Sequence, residues 1–414
     1  MKLEYDDSET AKELADETRE FVQESVLPRE KELLRNREKL ENHDIDDIVE
    51  ELQEEARERG LYAPQIDEEH GGQGYDLREV LPTFEEAGRS LLGAKAIRVD
   101  APDEGNMHTL ELVGTEEQKE RWLIPLVEDE ITSGFSMTEP MQGAGSDPKM
   151  IQTTAEKDGD EWIINGHKWW TTQGVEADVY LVMARTDPDA HPYQACSIFL
   201  VPRDADGVEV ARDVPHMGDS GVSHAEMKYE NVRVPEENLL GAENSGFMIA
   251  QQRLGPARLT HCMRFSGMAD RALDIAVAYA DERETFGEKL SEKQSLRFGV
   301  VEEKTRLHAV RTMVRQAAKE IAEGNQARVE VAMSKYFAAN VAQDAIDTAV
   351  QACGGNGIGK DLPLADFYEN VRSFRIVDGA DEVHKRSIAK RVFDEENIDK
   401  SELENVTRFG EYGR

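Results

Sequence analysis

The segment FSGMADRALDIAVAYA, residues 265–280, carries the clearest periodic pattern in this chain. Its apolar residues recur every three to four positions from Phe265 to Ala280, which is the spacing of one buried face of a long α-helix. The stripe is Phe265, Met268, Ala269, Ala272, Leu273, Ala276, Val277 and Ala280. The sequence therefore predicts a long amphipathic helix over residues 265–280.

Two more helices are predicted after this one. The first starts at Ser291, with Gln294 three residues on as a candidate capping box, and runs to Gly324. The second spans residues 326–353. Long amphipathic helices joined by short loops favour antiparallel bundle packing, so a helical bundle is expected at this end of the chain.

Between about residues 132 and 241 the hydrophobic period is two. Alternating apolar segments such as WIINGHKWW (162–170), DVYLVMAR (178–185) and CSIFLVP (196–202) are separated by Gly, Pro and Asp. Residues 7–131 return to a helical period, with loops such as HGGQGYD (70–76) between the segments. The middle of the chain therefore predicts a small β domain between two helical parts.

These changes of period predict a mainly α protein with a central β domain. The expected boundaries are an all-α N-terminal domain at 1–131, a middle β domain at 132–241 and a C-terminal helical bundle at 242–414.

The charge of the chain restricts its partners. Its 414 residues carry 85 acidic and 49 basic side chains, a formal net charge of −36 at pH 7. Area scaling predicts roughly 16,000 Å² of accessible surface for this mass. A surface this negative repels phosphate backbones and anionic lipids. Nucleic acid and membrane are therefore poor partners. Repulsion among these charges weakens the compact state in dilute buffer, and molar salt screens it by shortening the Debye length to about 3 Å. We therefore expect a salt-requiring, halophilic protein; an ordinary acidic mesophile protein is the alternative.

Cysteines and apolar runs indicate the compartment. Cys196, Cys262 and Cys353 stand far apart without C-x-x-C spacing, which is typical of reduced thiols. The sequence has no apolar run of about 18 residues and no apolar segment at its N-terminus, so a cytoplasmic protein is expected. No His/Cys/Asp cluster has metal-ligand spacing, and the Gly-rich stretches lack the strand–turn–helix setting of a dinucleotide fingerprint, which argues against metal or Rossmann chemistry.

A series of short motifs occurs in one order along the chain. They are GNMHTL (105–110), GTEEQKERWLIPL (114–126), FSMTEP (135–140), GAGSD (143–147), NGHKWWTT (165–172), ENVRVPEENLLG (230–241), GPARLTHCMR (255–264), YADERETFG (279–287), QACGGNG (351–357) and RIVDGADEVH (375–384). This order resembles the acyl-CoA dehydrogenase family from about residue 11 to residue 392. DGADEVH resembles a subgroup that carries Asp-Gly-x-Asp-Glu-Val-His where most members have Glu-Gly-Thr.

The resemblance implies a fold and a reaction. The fold would be an N-terminal helical domain, a middle β-barrel and a C-terminal four-helix bundle. The reaction would be FAD-dependent α,β-dehydrogenation of an acyl-CoA thioester to a trans-2-enoyl-CoA, as in fatty acid β-oxidation, with electrons passed to an electron-transfer flavoprotein. Because the family's FAD site takes residues from two subunits, a homodimer or homotetramer is expected.

The family's catalytic glutamate corresponds to Asp378. In the family the carboxylate removes the α-proton, and the thioester oxygen is held by a ribityl hydroxyl and the backbone N–H of the base residue. An aspartate reaches one bond less, roughly 1.5 Å, so the backbone or substrate must lie closer. Asp before Gly is also ordinary turn chemistry. Ala257 occupies the position where other branches carry the base, and it cannot act as one.

Four residues match the part of the family that holds the flavin ring and pyrophosphate: Thr138, Ser146, Trp170 and Thr172. Thr138 and Thr172 would lie near the flavin N5, and Trp170 would lie against the isoalloxazine. Ser146 would bond the pyrophosphate or the pantetheine, although its loop is longer than the common one. The structural alternative concerns Trp170. Adjacent strand residues point to opposite faces of a sheet, so either Trp169 or Trp170 must pack into a core.

Six residues match the family's contacts to the adenosine diphosphate of a neighbouring subunit's FAD: Arg283, Phe286, Gln294, Gln351, Gly354 and Gly355. A guanidinium suits pyrophosphate because it donates two parallel hydrogen bonds. The structural alternatives are that Arg283 interacts with the dipole at a helix C-terminus, that Gln294 belongs to the capping box, and that the glycine pair ends a helix.

The chain departs from the family in places. Ala380 replaces a threonine that usually follows the glycine, and Glu369 and Asn370 replace a common Arg-Asp. Glu382 still matches a polar residue near the flavin, and Arg258 matches an arginine near the thioester, although it could equally form an ion pair. His224 and His384 are assigned no catalytic role.

Two other functions stay open at this point. One is a flavin oxidase of another carbon acid on the same fold, which would consume oxygen without an added acceptor. The other is a non-catalytic flavin- or acyl-CoA-binding protein, which would bind acyl-CoA without flavin reduction.

Overall fold

A computed structural model describes residues 4–39, 42–218 and 222–394, together with 396, 398, 399, 401 and 403. The N-terminal part is helical. Its helices are α1 (Glu9–Phe21), α2 (Leu27–Asn36), α3 (Asn42–Glu58), α4 (Leu77–Gly88), α5 (Gly93–Ala96), α6 (Asp103–Val113), α7 (Glu116–Gln118) and α8 (Ile124–Val127). Two π-helical turns, Val22–Val26 and Lys119–Leu123, join α1 to α2 and α7 to α8.

The middle of the chain forms one eight-stranded sheet. Its strands are β1 (Ser133–Ser136), β2 (Thr154–Asp158), β3 (Glu161–Thr172), β4 (Val179–Arg185), β5 (Cys196–Pro202), β6 (Val208–Asp213), β7 (His224–Pro235) and β8 (Leu239–Leu240). Their order is β6-β7-β3-β2-β4-β5-β8, and β1 pairs with β4 in parallel. The predicted central β domain between helical parts is confirmed.

Strand β4 joins the two cores of the molecule. Val179, Leu181 and Met183 pack into the core shared with the helices, whereas Tyr180 and Val182 pack into the core of the β domain. Because both faces of this strand are buried, its sequence is a continuous apolar run rather than an alternation.

Helices return at the C-terminal end. They are α9 (Gly246–Glu282), α10 (Gln294–Ala322), α11 (Arg328–Cys353), α12 (Gly355–Ile358), α13 (Leu364–Phe374) and α14 (Asp381–Val392). A short hairpin, β9 (Glu284–Thr285) and β10 (Glu288–Lys289), follows α9. Helix α9 packs against α4, α10 and α11, and α11 also carries α13 and α14. In the described part of the chain, no helix is both long and apolar enough to cross a membrane.

Close helix packing depends on a glycine in the predicted stripe. A Cβ on Gly267 would lie 1.8 Å from the backbone oxygen of Glu85 on α4, so only glycine permits this crossing of α4 and α9. The buried small residues Ala269, Ala272 and Ala276 continue the same face. The long helix predicted from the 265–280 stripe is therefore confirmed, and it extends well before the stripe.

One detail of the predicted bundle is wrong. Helix α10 begins at Gln294 with Lys293 at its N-cap and no side-chain cap, so the capping box of Ser291 and Gln294 does not form. Ser291 instead lies in a 3₁₀ turn, and its hydroxyl donates to Asp281 at 3.1 Å. The β9–β10 hairpin directs this serine toward the end of α9, which the local sequence spacing could not show.

Candidate active site

The turn between α13 and α14 presents Asp378. Its φ is +55°, and the φ of Gly379 is +99°, so two consecutive residues adopt the left-handed region. Aspartate tolerates this conformation better than most residues, and glycine is required at the second position. A Cβ on Gly379 would also lie 2.9 Å from the His384 imidazole. The Asp-Gly pair thus sets the direction of the Asp378 side chain.

The two oxygens of the Asp378 carboxylate have different surroundings. Oδ2 lies 2.7 Å from Nδ1 of His261, a buried residue on α9. Oδ1 has no hydrogen-bond partner among the described residues, and the side chain keeps 14% of its surface exposed. One oxygen is therefore held, while the other is available to a substrate.

Charge and hydrogen bonding keep this carboxylate ionised. Burial alone would raise the pKa of Asp378, but the charge and hydrogen bond of His261 and the guanidiniums of Arg253 and Arg258 outweigh it. The pKa lies well below the ordinary value for an aspartate. At neutral pH the group is a carboxylate and can accept a proton.

The backbone of the turn is held from three helices. Arg258 Nε donates to the Asp378 carbonyl at 2.8 Å, and His384 Nε2 lies 3.3 Å from the same oxygen. Buried Lys335 on α11 donates to the carbonyls of Phe374 at 2.6 Å and Gly379 at 2.8 Å, and burial lowers its pKa to about 8. Within the described chain the Asp378 N–H has no acceptor, so it is free to donate to a ligand.

Three of the predicted flavin contacts are brought together at one corner of the β domain. The Trp169 N–H donates to the carbonyl of Thr138 at 3.0 Å, which places the end of β1 beside Trp170 and Thr172 on β3. The ladder between β3 and β7 has an irregular register between Lys168 and Thr171. Such a bulge re-aims the intervening side chains.

Trp170 is the residue that this bulge turns outward. Its φ is +55°, a conformation that is an outlier for a bulky residue, and 41% of its surface is exposed. Backbone strain of this kind concentrates at functional sites. Part of the Trp170 ring is open to solvent, and the Thr138 hydroxyl has no hydrogen-bond partner among the described residues, so the corner fits a planar aromatic ligand with polar edges.

His224 belongs to this corner, although the sequence analysis assigns it no role. It pairs with Thr172 across the β3–β7 ladder, and its Nδ1 lies 3.2 Å from the Thr172 hydroxyl. Its ring lies edge-on to Trp170, with centroids 5.8 Å apart. Burial, together with the neighbouring His216, lowers its pKa to about 4, so the ring is neutral at physiological pH.

A chain of polar contacts connects the β corner to the bundle. Gln173, next to Thr172, donates to Asp103 on α6 at 3.1 Å. Farther along α6, Asn106 accepts from the buried Arg253 of α9 at 2.9 Å. Arg253 is one of the charges that lower the pKa of Asp378. These contacts link the Trp170 corner of the β domain, through α6, to the helix that carries Arg253 and His261.

Ser146 lies in an exposed loop that a buried ion pair supports. Lys168 Nζ lies 3.0 Å from Glu139 Oε1, and both residues are buried. Glu139 also accepts from the backbone N–H groups of Ala144, Gln152 and Thr153 at 2.8–3.0 Å. Burial raises its pKa, but Lys168 and these donors outweigh it and hold it at about 2. Among the residues that the structure describes, no contact joins Ser146 to Asp378.

The predicted adenosine contacts form a second, separate group. Arg283 follows α9 directly, 22 residues after His261, which is about 33 Å along a helix axis. Asn356, beside Gly355, donates to the Tyr279 hydroxyl at 3.1 Å and so brings the end of α11 to the end of α9. All six residues of this group are exposed: Arg283, Phe286, Gln294, Gln351, Gly354 and Gly355.

The remaining predicted positions lie around the base. Ala380 is the N-cap of α14 and offers no side-chain hydrogen bond, and Glu382 is exposed in the first turn of that helix. Asp381 between them is buried and accepts from Arg375 at 2.8 Å and from Asn340 at 3.0 Å. Asp381 therefore anchors the helix, whereas Glu382 is open to a ligand.

One group of potential metal ligands occurs in the described part of the chain. Donor atoms of Asp67, His70 and Glu111 lie within 4.8 Å of one another. Glu111 Oε1 already lies 3.0 Å from His70 Nδ1 and from the backbone N–H of Asp67. These contacts explain the cluster as a cap on the 3₁₀ turn of residues 68–70.

A largely buried, ionised carboxylate on the helical bundle, together with an exposed and strained aromatic corner of the β domain, is the pattern expected of a flavin-dependent oxidoreductase. The unpartnered Thr138 hydroxyl, the exposed part of the Trp170 indole and the neutral His224 match the polar edge and flat face of an isoalloxazine. The free N–H of Asp378 adds a donor for a substrate oxygen.

The acyl-CoA dehydrogenase N-terminal, middle and C-terminal domain models match residues 8–130, 134–232 and 244–393. The probable acyl-CoA dehydrogenase FadE2 of Mycobacterium tuberculosis is 43% identical over 355 residues, covering 84% of this chain and 86% of the relative. Acyl-CoA dehydrogenase family member 10 of Mus musculus is 36% identical over 92% of this chain but only 37% of its own length. Family members 10 and 11 are thus at least twice as long as the matched segment.

Among solved structures, butyryl-CoA dehydrogenase from Megasphaera elsdenii superposes with a TM-score of 0.82 at 28% identity, covering 94% of this chain and 100% of that one. The chain therefore belongs to the acyl-CoA dehydrogenase family. It has the family's fold and is an FAD-dependent oxidoreductase.

Proposed function

We propose that this protein converts an acyl-CoA thioester into its trans-2-enoyl-CoA, with Asp378 as the base. The observation that carries the proposal is the asymmetry of the Asp378 carboxylate, in which Oδ2 is held by His261 and Oδ1 is free and ionised. Bound FAD supplies the acceptor for the β-hydride. Thr138, Trp170 and Thr172 would hold its ring, and Glu382 lies in the helix that follows the base.

The protein's own groups act on the substrate in two ways. The free Oδ1 of Asp378 takes the proton from the α-carbon, and that proton stays on the carboxyl group until product leaves. The free backbone N–H of Asp378 donates to the thioester oxygen, where negative charge develops. Because the turn holds both groups on one residue, binding of the thioester also aligns its α-carbon with the base.

The test is anaerobic titration of the purified protein with a panel of acyl-CoAs, followed by the loss of flavin absorbance. The Asp378→Asn variant should keep its FAD and lose bleaching by at least about 100-fold, the size expected for removal of a general base. Asp206→Asn, an exposed aspartate in the turn after β5, is the matched control and should behave like the wild type. Undiminished bleaching by Asp378→Asn would exclude Asp378 as the base.

We infer that the active form is a homodimer or homotetramer. Exposed apolar side chains include one predicted adenosine contact, Phe286 (98% exposed), and two residues close in sequence to others, Phe298 (63%) and Ile358 (75%). Patches of this kind mark protein–protein contacts.

The span of about 33 Å between His261 and Arg283 supports a site shared by two subunits, in which Arg283 serves the FAD of its neighbour. The Arg283→Gln variant should then lose FAD while sedimenting as the wild-type oligomer. A monomeric wild-type protein that retains FAD would contradict this assembly.

Electrons would leave through an electron-transfer flavoprotein, as the family resemblance implies. Turnover should therefore need this acceptor and should be slow with oxygen alone. Rapid oxygen consumption without an acceptor would instead support the flavin oxidase.

A further inference from the structure

We propose that His261 is a positioning residue for the base: it holds Oδ2 of Asp378 so that Oδ1 faces the substrate's α-carbon. The inference rests on the proposed function of Asp378 and adds a second side chain to it. The carboxylate and the imidazole are 117 residues apart in sequence and are joined by a 2.7 Å hydrogen bond.

The imidazole is itself held by its surroundings. His261 is buried on α9, and its ring lies edge-on to Phe374, with centroids 6.5 Å apart. Phe374 in turn stacks on Phe265 at 4.4 Å, one turn after His261 on the same helix. Because the ring is confined by packing, its Nδ1 is a fixed donor, and the carboxylate that accepts from it is fixed as well.

A short base makes such a donor necessary. Asp378 has two side-chain torsions, and its backbone is held by Arg258 and Lys335 through carbonyl groups only. Among the described residues, His261 makes the one hydrogen bond to the carboxylate itself. Without it, either oxygen could turn toward Arg253 or Arg258, whose charges attract the group. The hydrogen bond therefore selects the orientation that keeps Oδ1 free.

The Asp378 acceptor decides which ring nitrogen of His261 carries the hydrogen of this bond. A carboxylate oxygen cannot donate, so Nδ1 of His261 must carry the hydrogen. Nε2 is buried and has no hydrogen-bond partner in the described chain. Nothing on the far side of the ring competes for its orientation.

Several charged or titratable groups surround the pair, and a pH experiment must take them into account. They are Glu104 on α6, Arg253, Arg258, Cys262 and Arg264 on α9, Lys335 on α11, and Asp381 and His384 on α14. Removing His261 leaves all of them in place. A change in the pH profile of the His261 variants relative to wild type therefore reports on the His261–Asp378 hydrogen bond.

The experiment compares variants that differ in where they place a donor. His261→Asn keeps an N–H close to the position of Nδ1, whereas His261→Gln moves it roughly one bond, about 1.5 Å, farther. His261→Leu removes it. We expect the limiting rate of flavin bleaching by an acyl-CoA to fall about 100-fold in the Gln and Leu variants and less than about 10-fold in the Asn variant. The affinity for acyl-CoA should change little, because no contact to the ligand is removed.

The pH profile separates positioning from a merely structural role. In the wild type, bleaching should not depend on protonation of Asp378 across the pH range in which the protein is folded. In His261→Leu, the charge and hydrogen bond of His261 no longer offset burial, so the pKa of Asp378 rises and any acid limb in the bleaching rate should move to higher pH. His191→Leu, an exposed histidine before β5, is the matched control.

The outcomes are distinct. If His261→Leu or His261→Gln bleaches at the wild-type rate while Asp378→Asn does not bleach, His261 has no positioning role and the proposed function stands. If Asp378→Asn bleaches normally, the proposed base is wrong whatever His261 does. If His261→Leu does not fold, the Asn and Gln variants decide, since equal rates in these two would overturn the inference.

Discussion

Arg258 contacts the backbone of Asp378 rather than the Asp378 carboxylate: the Arg258 Nε donates to the Asp378 carbonyl oxygen at 2.8 Å. The family resemblance predicts this arginine near the thioester, and the alternative was an ion pair. The structure shows that Arg258 holds the backbone of the turn that carries the base. The guanidinium of Arg258 also attracts the Asp378 carboxylate electrostatically.

Replacing Arg258 by Met should therefore slow chemistry more than it weakens binding. We expect the limiting bleaching rate to fall by about 10- to 100-fold, because a base displaced by about 1 Å loses that much rate. Stopped-flow measurements at several acyl-CoA concentrations give the rate and the dissociation constant separately. A large rise in the dissociation constant with an unchanged rate would show instead that Arg258 binds the substrate.

Much of the architecture could be predicted from the sequence because periodicity reports burial. The 265–280 stripe lies within α9, and the apolar run at 178–185 contains β4, whose two faces enter different cores. The prediction failed where a tertiary contact replaced a local one. Ser291 has the spacing of a capping residue, but its hydroxyl donates to Asp281.

The site could be predicted only in part, for a physical reason. Asp378 follows from its place after GGNG, whereas its partner His261 comes from a helix 117 residues away. His224 meets Thr172 and Trp170 only because β3 and β7 pair in one register. The positive φ of Trp170 opposes the preference of a bulky residue, so no local signal could predict it.

The buried pair of Lys168 and Glu139 should be costly to break. Lys168→Met leaves the Glu139 charge buried, and one-sided removal of such a pair costs about 3–5 kcal/mol of unfolding free energy. We also expect faster loss of FAD, because Glu139 holds the loop that carries Ser146. Urea denaturation and flavin fluorescence measure the two effects. Lys157→Met, in an exposed ion pair with Glu236, should change neither, and equal effects in both variants would contradict the assignment.

The N-cap of α14 offers a stabilising substitution. Ala380 has the extended conformation of an N-cap (φ −60°, ψ 155°) but no hydroxyl to accept from the helix. Ala380→Thr should raise the unfolding free energy by about 1 kcal/mol, and it should slow FAD release if the family's threonine also contacts the flavin. Ala380→Val has the same shape without the hydroxyl and is the control. A Val variant as stable as the Thr variant would show that capping is not the cause.

Acid should destabilise the protein partly through His384. Burial and the charges of Arg258 and Lys335 lower its pKa to about 4, whereas the unfolded chain titrates near 6.5. Between these values the unfolded state binds more protons, so the free energy of unfolding falls as the pH falls from 6.5 to 4, by up to about 1.4 kcal/mol per pH unit for this group. His384→Gln should have a shallower slope in this window. Parallel stability curves for the two proteins would exclude the assignment.

The net charge of −36 should make the folded protein depend on salt. At 0.1 M KCl the Debye length is about 10 Å, so neighbouring carboxylates repel one another across the surface, whereas at 1 M it is about 3 Å and most of that repulsion is screened. The melting temperature should therefore rise markedly from 0.1 to 1 M KCl. Sucrose at equal osmolality stabilises compact states by exclusion but screens no charge, so it should raise the melting temperature less. A higher melting temperature in dilute buffer would show that ion pairs, such as that of Arg311 with Glu85, outweigh the repulsion and that the protein is not adapted to salt.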